Sequence, residues 1–115
     1  MDITIFHNPN CGTSRNVLAA LRDAGHQPQV TEYVKVGWSE AQLTDLFVRM
    51  DVKPRDLLRV RGTPAEELGL TQPGVTDAEI VKAMVAHPIM VERPIVITPT
   101  GAFLCRPAHR LAEAL

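Results

Sequence analysis

The chain has 115 residues, 45% of them hydrophobic and 22% charged, with a formal net charge of −1. That composition describes one folded domain, residues 1–115, with enough apolar surface for a single core and no disordered or low-complexity tract. It offers no basic stripe for nucleic acid, no run long enough to span a membrane, and no basic-then-apolar leader at the N-terminus.

Residues 3–6 are a β-prone run that meets the turn residues Asn8, Pro9 and Asn10. Behind Cys11, a helix carries Val17, Leu18 and Leu21 on one face and stops at Gly25, a natural C′ residue. Residues 30–34 read as a second strand. Ser39 and Gln42 have the spacing of a capping box, and Leu43, Leu46, Phe47 and Met50 repeat at helical intervals behind them. Residues 54–58 are expected to open a third helix ending near Gly62, and residues 63–68 a further short helical piece closed by Gly69. Thr76 and Glu79 form a second capping box, with Ile80, Val81, Met84 and Val85 as the apolar face that follows. Residues 94–97 and 103–105 then read as strands joined through Pro99, Thr100 and Gly101, and Pro107 opens a last helix over 108–115. The order β-α-β, helices, β-β-α is an α/β class. It fits a thioredoxin-like plan: a small mixed sheet flanked by helices, with a helical insertion between the N-terminal βαβ and C-terminal ββα parts.

The chemistry concentrates at Cys11. It stands where a strand gives way to a helix, and the amides of Gly12, Thr13 and Ser14 are the orphan donors of the first turn, at the positive end of the helix dipole. Both effects favour the thiolate, which is the nucleophile, and the same donors can hold an oxyanion beside the sulfur. An inert thiol at the sheet edge is the simpler reading of a lone cysteine; the loop around Cys11 argues for reactivity. Cys11, Gly12, Thr13 and Ser14 have the form C-x-x-S, so the resolving thiol of a redox cycle comes from glutathione, a partner protein or Cys105. Two cysteines at opposite ends of the chain make no disulfide framework, and a reducing cytoplasm is the expected setting. Arg59, Arg93 and Arg106 each end a predicted element, and two of them precede prolines, which fixes a non-helical backbone. Planar guanidinium forks suit tetrahedral oxyanions, although each arginine taken alone reads as a solvated charge. His7, four residues before Cys11, fits either a bond near the thiolate or a structural place in the loop. No C-x-x-C or H-x-x-x-H pair offers a metal site, and no bound cofactor is expected. The position that a phosphatase loop gives to arginine is Val17 here, so that loop is absent.

The run from His7 through Asn16 (His7, Asn8, Pro9, Asn10, Cys11, Gly12, Thr13, Ser14, Arg15, Asn16) resembles the active-site signature of glutaredoxin-coupled arsenate reductases. The likeness continues through residues 55–59, through His87, Pro88, Ile89, Val91, Arg93, Pro94, Ile95 and Val96, and through Leu104, Cys105, Arg106 and Pro107. The resemblance implies a thioredoxin-like fold, with a cis peptide between Arg93 and Pro94. It implies that Cys11 attacks arsenate, that Arg59, Arg93 and Arg106 bind the oxyanion and its adduct, and that His7 and Ser14 support the thiolate. It also implies glutathione as co-substrate and glutaredoxin as the protein that clears the mixed disulfide. The chain ends soon after the Arg106 block, where better-known arsenate reductases carry a longer C-terminal tail.

Two alternatives differ in class. A related glutathione-dependent thiol oxidoreductase would keep Cys11 with less need for the three arginines. A non-enzymatic regulator of the same fold, binding the transcription machinery or sensing redox state, would ordinarily carry a C-x-x-C pair, which Ser14 denies.

Overall fold

Four short strands form one mixed sheet in the order β2-β1-β3-β4 in the computed structural model, which describes residues 1–115. The chain divides into two compact units: residues Met1–Val36 with Arg93–Leu115, and residues Gly37–Glu92.

The first unit holds the whole sheet. Strands β1 (Thr4–His7) and β2 (Gln29–Glu32) pair in parallel, with His7 opposite Glu32. A parallel pair needs a crossover, and helix α1 (Gly12–Asp23) supplies it. Strand β3 (Ile95–Thr98) runs antiparallel to β1, and β4 (Gly101–Leu104) returns antiparallel beside β3 through a two-residue connection. Val17, Leu18 and Leu21 of α1 pack against Ile3, Ile5 and Val96, and Cys105, Leu111 and Ala114 complete that cluster. Full burial of each large aliphatic side chain contributes about 1.5–3 kcal/mol, so this helix face holds α1 to the sheet. The architecture is the thioredoxin-like plan expected from the order of elements.

The second unit is helical. Helix α3 (Glu40–Met50) starts with a complete capping box: Ser39 Oγ accepts the Gln42 amide at 3.1 Å, and Gln42 Oε1 accepts the Ser39 amide at 3.4 Å. Helix α4 (Asp77–Ala86) repeats the device with Thr76 and Glu79. Caps of this kind are each worth about 1 kcal/mol. Leu43, Leu46, Phe47, Ile80, Val81 and Met84 are buried as the periodicity predicts, whereas Val85 is exposed and Met50 is only half-buried. Leu58 and Val91 form an isolated antiparallel bridge, flanked by bonds from the Arg59 amide to Met90 O (2.7 Å) and from the Glu92 amide to Leu57 O (2.8 Å).

Four expected elements differ. The second strand ends at Glu32, where its partner β1 also ends, and the chain turns into the short helix α2 (Tyr33–Val36), numbered between α1 and α3. The third helix is a 3₁₀ piece, Pro54–Leu57, because Leu58 leaves it to join Val91. Residues 63–68 form turns rather than a helix: the Leu68 amide reaches Pro64 O and the Leu70 amide reaches Ala65 O, but Gly69 at φ 75° ends the winding after one turn. The last helix is a 3₁₀ segment, Ala108–Glu113, with bonds such as Arg110 N–H to Pro107 O. No helix is long and apolar enough to cross a membrane.

Candidate active site

Strand β1 ends at His7, and α1 begins at Gly12, so the five positions from His7 to Cys11 carry the chain from sheet edge to helix. Cys11 is the N-cap of α1, in extended conformation (φ −102°, ψ 122°), and its side chain makes no capping bond. No acidic residue stands in the first turn of α1. Helices α3 and α4 are the reverse, with hydroxyl caps and Glu40, Asp77 and Glu79 in their first turns. The positive end of α1 is therefore left for the sulfur and for an anion beside it.

Buried polar groups hold this loop. Ser14 Oγ accepts the Asn8 amide at 3.1 Å and shares a 2.6 Å hydrogen bond with His7 Nδ1. Asn8 makes two further bonds: its carbonyl accepts the Cys11 amide at 3.0 Å, and its Oδ1 accepts the Asn10 amide at 2.9 Å. His7, Asn8 and Ser14 are all buried. Burial pushes the His7 pKa down, helped by the charges of Arg22 and Arg15, and Glu32 opposes them. Above the loop, Arg15 Nη1 donates to Pro9 O at 2.9 Å. Of these, Asn8 and Arg15 were not singled out from the sequence. The signal for Asn8 was its place in an Asn-Pro turn, where such side chains bond the backbone two residues on.

The sulfur meets two guanidinium groups. Arg106 Nη1 lies 3.6 Å from Cys11 Sγ and 3.4 Å from Arg93 O, and Arg93 also donates to the sulfur. Burial acts to raise the Cys11 pKa, but the Ser14 amide, Arg93 and Arg106 together outweigh it, and the net shift is downward. Both Arg93-Pro94 and Arg106-Pro107 are cis peptides; the first agrees with the resemblance and the second was not expected. Cys11, Arg93, Arg106, His7 and Ser14 thus come together in one unit. Arg59 belongs to the second unit, where its Nη1 pairs with Glu92 Oε1 at 3.1 Å and its Nε donates to Arg61 O at 3.1 Å.

Cys105 has the opposite setting. It lies in the apolar cluster under α1, and desolvation raises its pKa to about 11. Both cysteines are free thiols. No group of three His, Cys, Asp or Glu side chains gathers to hold a metal ion.

The ArsC family matches residues 6–114, nearly the whole chain. The chain belongs to the ArsC family. It is 54% identical over 113 residues to arsenate reductase ArsI2 of Synechocystis sp., covering 98% of this chain and 81% of that relative. It is 44% identical over 114 residues to an arsenate reductase of Escherichia coli, covering 99% of this chain and 81% of that one. Among solved structures, the arsenate reductase from Vibrio cholerae superposes with a TM-score of 0.94 at 34% identity, covering 100% of this chain and 98% of that one. This ArsC chain therefore shares both fold and sequence with proteins named for arsenate reduction.

Proposed function

We propose that the chain works as a single arsenate reductase domain, reducing arsenate to arsenite with glutathione and glutaredoxin as electron donors in the cytoplasm. The observation that carries this reading is the meeting of Cys11 with Arg93, Arg106 and the Ser14 amide at an uncapped helix start. That set favours a thiolate and offers donors to the oxygens of a tetrahedral anion at the same place.

In the proposed cycle the Cys11 thiolate attacks arsenic and one arsenate oxygen leaves as water, while Arg93 and Arg106 neutralise the charge on the remaining oxygens. Arg59 keeps the oxyanion-binding assignment that the resemblance implies. His7 and Ser14 act through the loop: their mutual bond and the Asn8 amide hold Ser14 with its own amide close enough to the sulfur to favour the thiolate. Glutathione then brings the second thiol. The two sulfurs supply two electrons, arsenic leaves in the trivalent state, and a Cys11–glutathione disulfide remains for glutaredoxin to reduce. Ser14 in place of a second cysteine fits a scheme whose resolving thiol comes from outside the chain.

Arsenate-dependent NADPH oxidation in the presence of glutathione, glutaredoxin and glutathione reductase tests the reading. Turnover by the unaltered protein and its complete loss in Cys11→Ser are expected. Turnover that persists in Cys11→Ser removes the nucleophile assignment, and a folded, unaltered protein without turnover removes arsenate reduction itself.

A further inference from the structure

A small cleft opens beside the catalytic loop, within the same unit as Cys11. It has a volume of about 190 Å³ and is lined by Asn8, Pro9, Asn10, Glu32, Val34 and Lys35. One wall is the loop that leads into Cys11, and the other is the end of β2 with the first residues of α2. We propose that this cleft binds an α-amino-acid head group, namely the γ-glutamyl end of glutathione; the proposal rests on glutathione being the co-substrate.

The chemistry of the lining selects that kind of ligand. Glu32 and Lys35 place one negative and one positive side chain on the same small cleft, and they make no ion pair with each other. An α-amino-acid end carries the matching pair, an ammonium and a carboxylate on one carbon. An oxyanion such as arsenate offers only negative charge, which Glu32 repels. Pro9 and Val34 line the same cleft and present apolar surface suited to the two methylenes of a γ-glutamyl arm. Val34 is 42% exposed, an apolar side chain left open to solvent at the cleft.

Size and position agree with this assignment. Complete small-molecule pockets run to about 300–1,000 Å³, so a cleft of this volume takes one end of a tripeptide and leaves its thiol outside. Asn10 is the residue before Cys11, with consecutive Cα atoms about 3.8 Å apart. A head group held against Asn8 and Asn10 is therefore tethered at the loop that carries the nucleophile. Glu32 stands opposite His7 in the sheet register, which places it at the end of β2 beside the loop that leads to Cys11. Raising the local concentration of the second thiol in this way shortens the search between adduct formation and its reduction.

The test is an NMR titration of the reduced full-length protein with S-methylglutathione, which binds without thiol chemistry, compared with S-methylcysteinylglycine, which lacks the γ-glutamyl end. S-methylglutathione is expected to shift the backbone amides of Asn8, Asn10 and Lys35, and S-methylcysteinylglycine to leave them unchanged. Glu32→Gln and Lys35→Ala, at positions outside the core, are each expected to weaken S-methylglutathione binding about tenfold, the loss of one charge-assisted hydrogen bond. Equal shifts from both ligands, or unchanged affinity in both variants, overturns the proposal. Arsenate-dependent turnover measured on the same preparation separates the two claims. Turnover with no effect of the variants refutes the cleft alone, and cleft binding without arsenate turnover refutes the arsenate reading alone.

Discussion

Cys11 and Cys105 are both buried, 8% and 0% exposed, yet their surroundings drive the two thiols in opposite directions. For each, loss of water is the largest influence and favours the neutral form. The difference lies in what replaces the water. Around Cys105 the neighbours are Ile3, Ile5, Val17 and Leu111, and its sulfur reaches only Phe103 O, at 3.8 Å. Around Cys11 they are an amide at a helix start and two guanidinium groups. Burial by itself keeps a cysteine in its neutral thiol form; burial among preorganised donors favours the thiolate.

Three experiments bear on that contrast. The largest effect is expected in direct labelling. At pH 7, iodoacetamide followed by peptide mapping should modify Cys11 on the order of a hundredfold faster than Cys105 or more, since only thiolate reacts. Comparable rates would erase the distinction. Next, Arg106→Ala removes the guanidinium 3.6 Å from the sulfur. The pH midpoint of Cys11 alkylation should move up, and KM for arsenate should rise about tenfold, as for one lost charge-assisted bond. An unmoved alkylation profile would assign the lowered pKa to the Ser14 amide and Arg93.

The smallest effect concerns Cys105→Ala. Turnover should stay within about twofold, and stability at pH 7 should fall by about 1 kcal/mol, as for a small buried deletion. Its pH dependence is the sharper readout. The unfolded chain ionises Cys105 at about 8.5, while the fold keeps it protonated to about 11. In that window the folded state binds more protons, so stability falls as pH rises through it, and below it the contribution is fully present. Urea midpoints of the unaltered protein should decline across this range more steeply than those of Cys105→Ala. Loss of turnover in a folded Cys105→Ala would instead move the resolving thiol inside the chain.

The loop around Cys11 was legible in the sequence because its determinants are local. Strand, turn, cysteine and helix start lie within a few residues of one another, and the capping boxes at Ser39 and Thr76 are equally short-range. Where the reading failed, distant partners decided. Tyr33 and Val34 are good strand formers, but β1 offers no partner beyond His7, so they wind into α2. Leu58 gives up a helix to pair with Val91, more than thirty positions away. Arg59 was recognised as a functional candidate, yet its ion pair with Glu92 was invisible for the same reason. The cleft at Glu32 and Lys35 depends on the register that lays β2 beside β1, which no local pattern encodes.

The uncapped start of α1 has a consequence for how the protein tolerates change. Serine, asparagine and aspartate are the preferred N-caps, and a good cap contributes about 1 kcal/mol that Cys11, with no capping bond, does not supply. Substitution at position 11 by any of them is thus expected to yield a more robust fold with no chemistry. Random mutation screened only for thermal endurance would drift toward such inert sequences. On the proposed function, cysteine at that position serves the reaction at the expense of the helix it begins.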